Sequence, residues 1–164
     1  MKDTLLTLYD YNCWANARLL EAAAKLDETQ FKMPAAYPHG GIHSTLVHLL
    51  SAEWIWRERC QAGVSPTALL TEADFPTVAS LIERWHQEET TMRGYLNALS
   101  ETELHETVSY KTTSGRPQAQ RLDLILHHLL LHGMQHRAEV AAMLTDFGHS
   151  PGDIDLIIYL RKIS

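Results

Sequence analysis

Four stretches of this chain repeat apolar residues at spacings of three and four, a period that only amphipathic α-helices packed on one another can use. Leu5, Leu8, Tyr9, Cys13, Ala17, Leu20 and Ala24 mark the first, from Asp3 to about Leu26. The second runs from about His43 to Ala62, rich in Leu, Val, Ile and Trp, with Gly63 placed to end it. Asp74 and Pro76 have the character of a helix start for the third, which carries Val78, Leu81, Ile82, Trp85, Met92, Leu96 and Leu99. The fourth runs from about Leu122 to Phe147, where Gly148 caps it, and Asp153 to Arg161 can add a short fifth. Pro34, Pro38, Gly40 and Gly41 punctuate a loop before the second helix. Residues 101–120 break the helical rhythm. There Val108 and Tyr110 alternate with polar neighbours and Ser114-Gly115 supplies a turn, so a small hairpin or extended loop is expected. The expected fold is all-α, a four-helix bundle in one domain over 1–164, with a crossover through residues 100–121.

Composition narrows the function classes. A chain of 164 residues is long enough to bury a proper core. Fourteen basic against twenty acidic residues leave a net charge of -6, which argues against a partner held by phosphate contacts, so no nucleic acid is expected. The absence of a long uninterrupted apolar run predicts no membrane span. Cys13 and Cys60 are far apart, form no paired motif and read as small core residues. The start lacks an apolar signal run. A cytoplasmic protein with free thiols is the expectation.

Ten histidines are many for this length. His132 and His136, one turn apart, lie about 40° from each other around a helix, so both imidazoles can reach one point. They fall within the apolar stripe of Ile125, Leu129, Val140 and Met143, where each ring nitrogen must find a partner. A shared metal ion satisfies both; core histidines hydrogen-bonded elsewhere are the alternative. His48, among Thr45, Ala52 and Ile55, is the natural third ligand. Three imidazoles with one open position make a catalytic zinc geometry, which can lower the pKa of bound water to roughly 7. Glu139, at i+3 from His136, is the catalytic candidate, able to orient a ligand or take a proton. Glu53 points elsewhere. His128 extends the stripe and suits a supporting role, and His127 faces away. His39, His43, His86, His105 and His149 read as solvated, and Trp14, Trp54, Trp56 and Trp85 as mainly core.

These residues resemble a known family. Leu131-His132-Gly133-Met134-Gln135-His136-Arg137 is similar to the H-x-x-x-H-R signature of the DinB and YfiT-like superfamily. His48 followed by Glu53-Trp54 resembles its H-x(4)-E segment. Tyr11 to Leu20 looks like its first-helix pattern, and Gly148-His149-Ser150-Pro151 with Asp155 and Tyr159 like its C-terminal stretch. The resemblance implies a four-helix bundle with a crossover connection and a zinc or nickel ion on His48, His132 and His136. It also implies a homodimer acting on a small-molecule substrate. Some members are thiol-dependent S-transferases or isomerases using mycothiol, bacillithiol or glutathione. The expected function is therefore a metal-dependent S-transferase or hydrolase using a low-molecular-weight thiol, with a non-catalytic metal-binding or stress-response protein as the alternative.

Overall fold

A computed structural model describes all residues 1–164. Helix α1 spans Lys2–Ala23 and the single turn α2 spans Glu28–Phe31, closed by a capping box between Asp27 and Gln30. Helix α3, Ile42–Arg57, continues into one π-turn, Glu58–Ala62, that Gly63 ends in the left-handed conformation. Helix α4 spans Val78–Ala98. Its N-cap is Thr77, whose hydroxyl accepts from the Ser80 amide. Asp74 and Pro76 thus lie just ahead of the helix, and Asp74 instead closes a 3₁₀ turn with Thr71. Strands β1, Thr107–Lys111, and β2, Pro117–Arg121, pair antiparallel with Thr107 opposite Arg121. Helix α5, Leu122–Asp146, follows without a break, and α6, Leu156–Ile163, closes the chain. No helix is long and apolar enough to cross a membrane.

The four long helices form a ring in which α1 touches α5 and α4, and α3 touches the same two. Two apolar clusters occupy the two ends. One joins Leu19 and Ala23 late in α1, Leu46 early in α3, Leu81 and Trp85 early in α4, and Leu144 late in α5. The other joins Leu5 and Tyr9, Ala52, Leu96, and Leu122 and Leu126. It follows that α1 and α5 run one way and α3 and α4 the other. Two parallel helices in succession need a connection along the whole bundle, and residues 58–77 supply it, seating Leu70 and Phe75 back at the first cluster. This corrects the expected place of the long crossover. Residues 99–121, carrying the hairpin, join helix ends on the same side of the molecule.

Between the two clusters lies a polar layer. The Asn12 and Asn16 amide nitrogens donate to Glu53 Oε1 at 2.9 and 3.0 Å, linking α1 to α3 across the bundle. Arg137 of α5 donates to the Asn12 and Asn16 carbonyl oxygens. All four side chains are buried. Burial holds the Glu53 carboxyl above its usual range, against the two amide hydrogen bonds and the Arg137 charge. Gly133 makes room for this arrangement. A Cβ there would stand 2.7 Å from Arg137 Nη1 and 3.0 Å from Asn12 Oδ1, so the residue accepts the cost of glycine inside a helix, about 1 kcal/mol. On the far side of the layer, Glu88 accepts from Arg57 and Arg84.

Breaking one partner of a buried ionic network strands the other. Arg137→Leu is expected to lower unfolding stability by about 3–5 kcal/mol in urea titrations. Glu53→Leu combined with Arg137→Leu should recover much of that loss. A double variant no more stable than Arg137→Leu alone would contradict the charge coupling of Glu53 to Arg137 across the asparagines.

Candidate metal centre

Three helical histidines and one loop histidine meet beside this polar layer. The one-turn spacing on α5 puts the His132 and His136 ring centroids 4.5 Å apart. From the neighbouring α3, His48 brings its ring to 5.0 Å from His132 and 4.9 Å from His136. The Nε2 atoms of His48 and His132 face each other at 3.0 Å. His136 is 3% exposed, while His48 and His132 are half-buried.

His39, read from sequence as a solvated loop residue, belongs to the cluster. Its ring stacks on His48, with centroids 3.6 Å apart and planes 12° apart, and meets His136 edge-on at 4.6 Å. Donor nitrogens of His39, His48 and His136 all lie within 4.8 Å of one another. The sequence signal was present in Pro38 and Gly40. The Gly40 amide donates to the Tyr37 carbonyl at 2.9 Å, a β-turn with Pro38 at its second position and His39 at its third. Such a turn just ahead of α3 aims a side chain at the first turns of that helix.

The environment favours neutral imidazoles. Burial first, then repulsion from the neighbouring histidines, pulls His48 down to about 3 and His132 to about 4. Burial lowers His39 as well. A neutral imidazole offers the lone pair that a metal needs. A tetrahedral ion with nitrogens at ~2.0–2.1 Å would space those nitrogens ~3.3 Å apart. The His48–His132 pair is already near that spacing. The three histidines whose donor atoms all lie within 4.8 Å of one another are His39, His48 and His136, with His132 joining through His48, so the four-histidine cluster fits an ion. His136 Nδ1 donates to Glu139 Oε2 at 2.7 Å, which leaves its Nε2 as the free acceptor. Of the two roles read for Glu139, orienting a histidine is the one its position matches.

The remaining candidates lie outside the cluster. His128 is exposed, with its ring 5.6 Å from His132 and edge-on to Trp56 at 5.7 Å. Trp56 meets Tyr110 of the hairpin at 5.0 Å, and Arg59 lies over both rings. Together they wall one side of the histidines. His127 binds the Asp123 carbonyl at 2.7 Å on the opposite face of α5. His43 is not solvated: it is buried, hydrogen-bonded to the Phe75 carbonyl at 2.7 Å and packed on Phe31. His86 and His105 are exposed and His149 is half-buried. Glu53 belongs to the Asn12–Asn16–Arg137 network. Cys13 and Cys60 are half-buried free thiols whose pKa burial raises, Cys60 to about 12, so neither is a ready nucleophile.

Comparison with known proteins follows the same residues. A family model described as DinB family matches residues 1–163. Protein DinB of Bacillus subtilis (strain 168) is 23% identical over 168 residues, spanning 99% of this chain and 98% of the relative.

The depressed histidines set a pH dependence for the metal-free protein. Unfolded imidazoles take up protons near pH 6.5, whereas folded His48 and His132 resist until about 3 and 4. Between those limits the unfolded chain binds more protons, so stability falls as pH drops below 6.5 and is level above it. Urea midpoints of chelator-treated protein should show this decline, and His48→Phe should make it shallower. An equal slope in wild type and variant would contradict the assignment.

Proposed function

This chain belongs to the DinB family, and on that premise we propose that it is a metal-dependent enzyme whose ion is held by His48, His132 and His136. The observation that carries this reading is the facing pair of His48 and His132 nitrogens, 3.0 Å apart, beside a His136 whose Nδ1 is already committed to Glu139. The ion, zinc or nickel, would act as a Lewis acid on a bound small thiol or water, whose proton it would make easier to lose. The reaction class that suits such a centre is thiol S-transfer to an electrophilic small molecule, or hydrolysis.

The protein's own residues supply the rest. The hydrogen bond from His136 to Glu139 fixes one tautomer and the ring's direction. Trp56, Tyr110 and His128 form an aromatic wall against which the apolar part of a substrate can pack. In the same reading the protein is a homodimer. Leu131 and Met134, 62% and 53% exposed, line a 640 Å³ groove between α1, α5 and α6, on the face of α5 turned away from the histidines. The passive alternative, an ion that only stabilises the bundle, has one observation in its favour: His39 stands close enough to act as another nitrogen donor.

Protein purified without chelator should carry close to one divalent ion per chain or accept one when supplied. His48→Ala, His132→Ala and His136→Ala should each weaken binding by orders of magnitude, and the exposed His86→Ala should not. Glu139→Gln should weaken it ~10–100-fold, the usual effect of losing a carboxylate behind a ligand histidine. Titrating a small thiol into the cobalt form should raise a thiolate-to-metal charge-transfer band. Failure of zinc, nickel and cobalt to bind better than millimolar would refute the metal site; binding without the thiolate band would refute thiol transfer.

A further inference from the structure

We infer that His39 is a fourth, displaceable donor to the histidine centre, so that the resting site is closed by the protein's own loop and opens when an incoming ligand takes that place. The inference rests on the metal reading above and adds to it which side chain occupies the position a substrate thiol or water must win.

The backbone around His39 is held on both sides. Upstream, Ala35 and Tyr37 pack against the apolar cluster at that end of the bundle. Downstream, Gly41 passes so close to α2's exit that a Cβ there would sit 2.0 Å from the Met33 carbonyl oxygen, which only glycine tolerates. Gly40 completes the turn at φ 86°, a left-handed conformation suited to glycine. Immediately beyond, α3 begins, carrying His48 nine positions after His39. The turn therefore delivers the imidazole to a fixed place, over His48 and against His136.

The side chain itself is loosely held. The histidine hydrogen bonds of the protein engage His43, His48, His105, His127, His132 and His136, and none engages His39. Only ring contacts keep it over the cluster. Stacked nearly parallel to His48, the ring holds its lone pair in a plane offset from that of His48, so joining an ion on His48 and leaving it again each take a side-chain rotation that gives up the stacked face, with the turn intact. No other side chain is as well placed. Glu139 is committed to His136 Nδ1, and His128 is exposed and turned against Trp56. A four-nitrogen resting site that yields one ligand on demand also reconciles the two readings above. With His39 bound it has the closed coordination of a structural ion, and with His39 withdrawn it has the open position of a catalytic one.

The test uses the full-length protein loaded with cobalt, in wild type, His39→Ala, His39→Phe and His86→Ala forms, with azide as the exogenous ligand. His39→Phe keeps a stacked ring but no donor, which separates coordination from packing. Circular dichroism confirms that each variant is folded. Both His39 variants should change the visible ligand-field spectrum of bound cobalt. Both should lose cobalt affinity at least ~10-fold, the lower end of what removing even an outer partner costs. Each should also bind azide at concentrations lower than wild type by a similar factor, because a competing internal ligand is gone; His86→Ala should match wild type throughout. Spectra and azide affinities equal to wild type in both His39 variants would overturn the inference while leaving the three-histidine site standing. A change in His39→Ala absent from His39→Phe would reduce His39 to a packing role and overturn it too. A wild type that takes up no cobalt would instead refute the metal reading beneath it.

Discussion

Polar groups placed midway along a helix bundle are beyond the reach of bulk water and must satisfy one another. Here most of that requirement is met within one layer, set between two apolar clusters, to which every long helix contributes; Glu53 Oε2 and Arg137 Nε alone of its amide network have no hydrogen-bond partner. Asn12 and Asn16 come from α1, Glu53 and His48 from α3, Glu88 from α4, and His132, His136 and Arg137 from α5. The apolar ends provide most of the attraction between helices, but they would tolerate rotation of one helix against another. The hydrogen bonds of the middle layer would not, since a small turn of α5 would strand both the Arg137 guanidinium and the two asparagine carbonyls.

His136 and Arg137 are consecutive, so their side chains leave α5 about 100° apart. One enters the histidine cluster between α5 and α3, and the other enters the amide network toward α1. The network thus fixes the angular phase of the helix that presents two histidines. Gly133, one turn before Arg137, has the complementary task of letting the guanidinium lie flat between α5 and α1. Stability and site geometry are set by the same few residues, and Glu139 extends that control to the tautomer of His136.

Periodicity was enough to find the four long helices, their approximate ends, the hairpin and the facing of His132 and His136, because all of these follow from the pattern of apolar residues along a segment. Contacts made by loops and between distant segments were harder to see. His39 read as solvated because proline and glycine around it announce a turn but not what the turn lies against. His43 read the same way although it caps the Phe75 carbonyl, a contact created only when residues 58–77 return along the bundle. That return was itself misplaced: chain direction depends on which helix ends share a cluster, and the hairpin segment offered an equally long candidate. Glu53 and Arg137 were noticed as parts of motifs, but their partners Asn12 and Asn16 lie more than thirty-five and one hundred and twenty positions away.

The parallel course of α1 and α5 places the first and last long helices side by side, and two histidines of the cluster sit on the last. A chain emerging from the ribosome exposes His39 and His48 long before His132 and His136 exist. Until α5 has been made and has slotted between α1 and α3, the early histidines have only each other to face and the amide network has no guanidinium. The donor set is therefore complete only when the bundle is, and a partly synthesised chain offers an ion only the His39 and His48 side of the site.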